Sequence, residues 1–290
     1  MVHNAELREF LRSRRARRTP ETSGFSATGA GRRVPGLRRE ELAALAGVSV
    51  DYYVRLEQGR DLNPSDAVLD AIARALRLDD AERAHLVDLA RPPAARRRRP
   101  PRRAQHVPVA THQLLETLDA AASPALVLGR RMDVLAINRT GRVLVADFPV
   151  LAARDRNYAR FVFLDGNARD LHPDWESVAA DTVAALRLDA GKYPDDPDLS
   201  ALVGELSVKD ERFRRWWAEH DVLMRTTGTK RYHHPVAGEL TLTYQALALP
   251  EEDQTLFVYT APAGSPSHTA LRLLAPGSAT TGTPGGGPAR

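Results

Sequence analysis

The chain has 290 residues, enough for two domains with separate cores, and 41 basic against 37 acidic side chains give a formal net charge of +4. It contains no cysteine, which excludes disulfides and thiolate metal sites and fits a reducing cytoplasm. No apolar run approaches the roughly 18 to 20 residues of a membrane span, and charged residues stand where a signal peptide is apolar, so a soluble cytoplasmic protein with no membrane partner is expected.

The charge divides along the chain. Up to Arg103 there are 22 arginines, no lysine and 14 acidic residues, a surplus of eight; the rest has 19 basic and 23 acidic residues, a deficit of four. A positive half attracts phosphate backbones and an acidic half does not. Codon bias accounts for arginine over lysine, since Lys192, Lys209 and Lys230 are the only lysines, but not for net charge separating by domain.

Residues 5–18 read as a first helix with Leu7, Phe10 and Leu11 inward. Residues 19–36 are a long Gly, Thr and Ser loop whose Arg32 and Arg33 can reach phosphate. Residues 38–46 form a second helix, Gly47 and Val48 turn the chain, and Ser49 caps a third helix to about Gln58, with Gly59 as its stop. Ala43 and Ala46 let the pair cross closely, Gly47 supplies a turn where a side chain would obstruct, and Leu42, Val48, Tyr53 and Leu56 point to a shared core. Val50, Asp51, Tyr52 and Arg55 face outward, as a recognition helix does in a major groove. Arg38 and Arg39 are expected on phosphates, with Ser49 and Arg60 at the two ends of the reading helix also counted in the interface. Arg55 is the best base reader, because guanidinium pairs bidentately with guanine; Asp51 either accepts from cytosine or only favours the helix dipole. Asn63 or Ser65 can start a fourth helix through about residue 76, and Asp79 can cap a fifth to residue 90, which completes five helices.

Residues 91–103, RPPAARRRRPPRR, cannot continue a helix and form an interdomain linker, either an arginine arm on DNA or a solvated spacer. A helix is expected at 112–122, strands at 125–128 and 133–137, helices at 138–146, 176–188, 199–206 and 209–225, and strands at 231–236, 240–249 and 255–260. That order resembles a PAS-like sensor domain with an antiparallel sheet of about five strands. From Pro276 nothing can be buried and disorder is expected. Phe213, Trp216, Trp217 and His220 recur at helical spacing behind Ser207 and Asp210, facing either a core or a cavity beside the sheet. Of Tyr244 and Gln245, one points inward. His233 and His234 are strand neighbours on opposite faces, so no shared metal is expected. Nucleophile-elbow, P-loop and zincin motifs are absent, and no catalytic residue, cofactor or enzyme activity is expected.

The stretch RREELAALAGVSVDYYVRLEQG (38–59) closely resembles the helix-turn-helix of the XRE (Cro/repressor-like) regulators. With its continuation to LVDLA at residue 90, it resembles the MmyB-like branch more specifically. The resemblance runs from about residue 7 to 274; in the second half NRTGRVLVADF, NYARFVFLD, FRRWWAEHDV and HPVAGELTLTYQAL carry it. It implies a multidomain chain: an all-α five-helix repressor-like DNA-binding domain (1–90), a Pro/Arg linker (91–108), an α+β PAS-like ligand-binding domain with an antiparallel sheet (109–275) and a disordered tail (276–290). It further implies a transcription regulator of a double-stranded DNA operator, acting as a homodimer, whose second domain holds a long apolar ligand such as a fatty acid. For that ligand Asn138, Arg160 or His220 is the candidate for the head group, with Phe213, Trp216, Trp217 and Tyr244 around the chain. The alternative is a second domain that binds protein or dimerises and holds no ligand.

Overall fold

The computed structural model describes residues 2–20, 23, 36–60, 63–90, 105–222, 226–250 and 253–275. The expected phosphate-reaching Arg32 and Arg33, the arginine tract at 91–103 and the tail from Pro276 lie outside the described residues.

Helices α1 (Val2–Arg17), α2 (Arg39–Ala46), α3 (Val50–Glu57), α4 (Asp66–Leu76) and α5 (Asp80–Ala90) come first. They are followed by α6 (Val109–Ala120), strands β1 (Ala125–Leu128) and β2 (Val134–Ile137), and helices α7 (Arg139–Leu144), α8 (Tyr158–Leu164) and α9 (Gly166–Leu171). Next come α10 (Trp175–Lys192), α11 (Pro197–Lys209) and α12 (Glu211–Ala218), then β3 (Thr227–His234), β4 (Gly238–Ala248), β5 (Thr255–Thr260) and α13 (Pro266–Leu274). The described residues group into two compact units, one drawn from residues 1–104 and 177–224, the other from 105–176 and 225–290. The described residues 177–222, expected within the sheet domain, thus pack with the N-terminal helices.

In the first unit the starts of the helices follow from capping side chains. Ser49 Oγ accepts from Tyr52 N at 3.2 Å and Ser65 Oγ from Val68 N at 3.4 Å. Asp79 and Glu82 cap α5 reciprocally, at 2.8 and 3.1 Å. Leu7, Phe10, Leu11, Leu42, Tyr53 and Leu56 are fully buried in one core, each worth about 1.5–3 kcal/mol if aliphatic or phenyl. Gly47 closes α2 at φ 66, yet a Cβ there would meet nothing within 4 Å. The turn therefore requires glycine for its left-handed backbone, not for lack of space as the sequence suggested.

The expected helix at 209–225 is divided differently. Asp210 is extended (φ −136, ψ 120), ends α11 by donating its N–H to Leu206 O, and caps α12 by accepting from Phe213 N at 2.9 Å. Ser207 is inside α11, and α12 stops at Ala218. His220 lies beyond it at φ 56, so the helical face expected to run through His220 is cut short.

The second unit holds an antiparallel sheet of five strands, the number expected, in the order β2-β1-β5-β4-β3. β3 starts at Thr227, four residues before the expected strand. On one face α6 covers Ala125, Val127 and Leu256 through Leu115. The other face carries Lys230 and Tyr232 of β3, Leu242 and Tyr244 of β4, and Phe257 and Tyr259 of β5, since Lys230 pairs with Leu242 and Tyr244 with Tyr259. No described helix is long and apolar enough to cross a membrane.

Candidate functional site

On α3 the outward face is formed by Val50, 45% exposed, with Asp51 and Arg55, while Tyr53 and Leu56 are fully buried beneath it. Ser49 is exposed at the cap and Arg60 beyond the C-terminal end. Neither Arg55 nor Arg60 is held in an ion pair by a described residue. Tyr52 is only half out; it packs partly against the core, so the reading face is narrower than expected.

The back of the helix-turn-helix is fixed by a buried carboxylate. Glu57, at the last turn of α3, is 1% exposed. Arg15 of α1 donates to it twice, Nε at 3.0 Å and Nη2 at 3.2 Å, and gives Nη1 to Leu37 O at 2.7 Å. Arg39 of α2 adds its Nε at 2.8 Å. Burial pushes the Glu57 carboxyl up, but hydrogen bonds and charge from Arg15, with help from Tyr53 and Arg39, outweigh it and hold the group below its usual range. Arg39, expected on phosphate, is thus already engaged, although its side chain is 48% exposed. Arg38 precedes α2, taking Glu41 through its backbone N–H at 2.6 Å and facing Glu40 at 3.4 Å.

In the second unit the polar groups of the inner sheet face converge on Lys230. Its Nζ is 3.4 Å from Tyr158 Oη and stands over the rings of Tyr158 and Tyr244, 5.5 and 5.3 Å from their centroids. Gly228 makes room: a Cβ there would lie 2.9 Å from the Tyr244 ring, its cross-strand partner. Tyr259 and Tyr232 continue the cage at 6.1 Å between ring centroids. Burial opposes the lysine charge, but charge interactions with the phenolic oxygens of Tyr158, Tyr259 and Tyr244, together with the hydrogen bond to Tyr158, outweigh it and push the pKa above the usual lysine range. No described carboxylate pairs with it, and the residue keeps accessible surface although it lies deep in the unit. His172, 1% exposed and 5.0 Å from the Tyr232 ring, makes no hydrogen bond through either ring nitrogen; the main chain at Arg231 is a polar neighbour without hydrogen-bond geometry. Burial and the Lys230 charge push its pKa down to about 4. This is a cationic donor site inside an aromatic cage, chemically suited to an anionic head group.

The expected ligand residues are dispersed. Asn138 is committed to the fold: Oδ1 accepts from Ala125 N at 3.0 Å and Gly141 N at 2.8 Å, and Nδ2 donates to Leu115 O at 3.4 Å and Ser123 O at 2.8 Å. With all four hydrogen bonds made it has none left for a ligand. Arg160 stands 3.7 Å from the acidic Asp155. Phe213, Trp216, Trp217 and His220 fall in the first unit. Phe213 is fully buried and stacks on Trp217 at 5.7 Å, Trp217 lies 3.7 Å under the Arg187 guanidinium, Trp216 is half-buried beside Arg215, and His220 Nδ1 is 3.7 Å from Glu6. Their face therefore belongs to a helical core and not to the sheet. Tyr244 alone of the seven lies in the Lys230 cage, and Gln245 points out.

His234 closes the β3–β4 hairpin: its Nδ1 accepts from Val236 N and Ala237 N at 3.2 and 3.1 Å, so Nε2 carries the proton and donates to Val143 O at 2.9 Å. His233 is exposed on the opposite face. No group of three or more described His, Asp or Glu residues is placed to hold a metal ion.

Comparison with protein families gives two matches. Residues 6–86 match the model of a helix-turn-helix domain, and residues 107–274 match that of the MmyB-like transcription regulator ligand-binding domain. No curated protein matches the chain.

Proposed function

The chain belongs to the MmyB-like transcription regulators, and from that premise we propose that its second unit senses an apolar acid, fatty-acid-like in shape, whose carboxylate sits at Lys230. The observation that carries this reading is the ammonium of Lys230, paired with no described carboxylate and enclosed by Tyr158, Tyr244 and Tyr259. A buried cation without a counter-charge is unfavourable unless something anionic supplies it, and the surrounding rings offer apolar surface to the chain of such an acid. His172 provides a second donor or acceptor to a head group.

On the DNA side, Val50, Asp51 and Arg55 read bases in an operator, with Ser49 and Arg60 at the ends of α3 and Arg38 positioning the protein on phosphates. Action as a cytoplasmic homodimer on a two-fold operator belongs to the same reading, since such domains bind half-sites about one helical turn apart.

The test is titration of purified protein with myristate, followed by native mass spectrometry, for wild type, Lys230→Met and Lys230→Arg. Wild type should retain the acid, Lys230→Met should lose it, and Lys230→Arg should recover part of it while neutral myristyl alcohol binds all three alike. Equal retention of myristate by wild type and Lys230→Met would remove the head-group assignment. Failure of wild type to retain any apolar acid would favour a second unit that binds protein or dimerises.

A further inference from the structure

Residues 177–222 lie within the stretch that matches the ligand-binding family model, yet they pack with the DNA-binding helices. Polar and apolar contacts hold them there. At Gly191, on α10, the backbone is pressed against His85 of α5: an added Cβ would come 2.3 Å from its Nδ1. His85 is 1% exposed, and its other neighbour is the ring of Phe10 on α1, edge-on at 5.1 Å. One turn earlier Arg187, 1% exposed, pairs with Glu6 of α1 at 2.6 Å, covers Trp217 and donates to its carbonyl oxygen. In the reverse direction Arg14 of α1, 3% exposed, pairs with Glu82 of α5 at 2.7 Å, donates to His220 O at 2.6 Å and stands 3.4 Å from Asp221. Val222 joins the core of the DNA-binding helices and Leu188 packs against it.

Each arginine has a partner across the junction between α1/α5 and the 177–222 segment. Arg187 takes its carboxylate from α1, and Arg14 takes a carbonyl from the far segment. Separating the two would leave the desolvated Arg187 guanidinium without its carboxylate and take the His220 carbonyl from Arg14, which keeps Glu82, so undocking is costly. The polar contacts named fall on α1 and α5, and Val50, Asp51 and Arg55 of α3 stay exposed. The covalent route from the other unit is short, because α10 begins at Trp175 and reaches Arg187 within one helix.

We propose that residues 177–222 are an internal clamp on the DNA-binding helices: a piece of the ligand-binding module that docks on α1 and α5 and sets how well α3 is presented to DNA. The clamp acts from behind, so the docked state is the DNA-competent one. Releasing it loosens α1 and α5 and weakens DNA binding without altering any base contact.

Two substitutions in the full chain test this, Gly191→Val, which forces a side chain into His85 without changing charge, and Glu6→Gln, which removes the partner of Arg187. Amide hydrogen exchange is read in α1, α5 and β3–β5, and affinity is measured for a duplex selected by wild type from a random pool. Both variants should exchange about tenfold faster or more in α1 and α5, keep normal exchange in β3–β5, and bind the duplex about tenfold more weakly. Unchanged exchange in α1 and α5, or faster exchange there with unchanged affinity, overturns the clamp. So does loss of protection throughout β3–β5, which would make the segment part of one cooperative fold. If wild type selects no duplex, the DNA-binding reading fails and the presentation role fails with it, while the exchange data still decide the docking.

Discussion

Removing the Glu57 carboxylate should have two opposite effects. The side chain is 2% exposed and holds Arg15, itself 11% exposed, and the half-exposed Arg39. Glu57→Ala leaves the Arg15 guanidinium desolvated without its carboxylate, a loss of about 3–5 kcal/mol for a broken buried pair. The Arg39 contact is largely solvent-screened and adds only about 0.2–1 kcal/mol. Arg39→Ala should accordingly cost about 1 kcal/mol or less, and the pair of substitutions should be less than additive because both act on one carboxylate. Opening free energies from amide exchange of α2 and α3 in the full chain give the numbers. Meanwhile Arg39, once released, becomes available to phosphate, so the dependence of DNA affinity on salt should steepen by about one unit in Glu57→Ala. The variant is thus expected to be less stable yet more salt-sensitive in binding. A stability change under about 1 kcal/mol would refute the assignment of Glu57 as the buried tie, and a shallower salt slope would refute the release of Arg39.

Three further outcomes follow from named groups. His85 is pushed down to about 3 by burial and by Arg187 and Arg14, His220 to about 4 by burial and the same arginines, and His172 to about 4. Each stays neutral in the folded chain while the unfolded chain takes up a proton below about pH 6.5. Stability should therefore be complete above that value and fall as pH drops from about 6.5 toward 4, by roughly 1.4 kcal/mol per pH unit for each histidine that remains neutral; a flat urea-denaturation profile across that window would contradict their burial. Arg55→Ala should weaken binding to the selected duplex by about 1–3 kcal/mol and relax preference at one base pair, and equal losses on selected and random duplexes in a competition assay would argue against base reading. Asn138→Ala should destabilise the second unit by several kcal/mol, since it strands two buried backbone N–H groups and two carbonyls; unchanged thermal stability with loss of bound acid would restore it as a ligand residue.

Sequence legibility followed the range of the interactions. Ser49, Ser65 and Asp79 act on backbone groups three residues away, so the helix starts they cap could be read to within a residue or two, and strict alternation gave the sheet. Interactions that close over long separations could not be read. Asn138 looked like a ligand donor because it is polar in a family-matching segment; its partners at Leu115, Ser123 and Ala125 lie 13 to 23 residues away. The aromatic face from Phe213 was extended to His220 on a period of 3.6, which assumed that one helix continues where the backbone in fact turns to φ 56. Lys230 was missed for a register reason. A strand taken to begin at Arg231 leaves it in a loop, whereas the strand that begins at Thr227 puts Lys230 and Tyr232 on one face. The available signal was its rarity, one of three lysines, placed two residues before a tyrosine.

The charge asymmetry of the sequence acquires a different meaning once partners are known. The surplus of eight up to Arg103 suggested a phosphate-seeking surface, but Arg14, Arg15 and Arg39 are turned toward Glu82, Glu57 and the carbonyls of the fold, and Arg83 toward Asp70 at 2.6 Å. These arginines tie helix to helix. Of the arginines named for DNA, Arg55 and Arg60 are exposed without a described acidic partner, and both belong to α3 or the residues just after it. Among the described arginines named for DNA, the exposed charges of Arg55 and Arg60 thus stand at the proposed recognition helix, where base and phosphate contacts can be made together. Helices α1 and α5 use theirs for internal pairing and for the docking of residues 177–222. A domain arranged in this way depends for DNA affinity on how α3 is held as much as on how many charges it carries, which is why the buried Glu57 and the Arg14–Arg187 junction bear on binding although neither faces the groove.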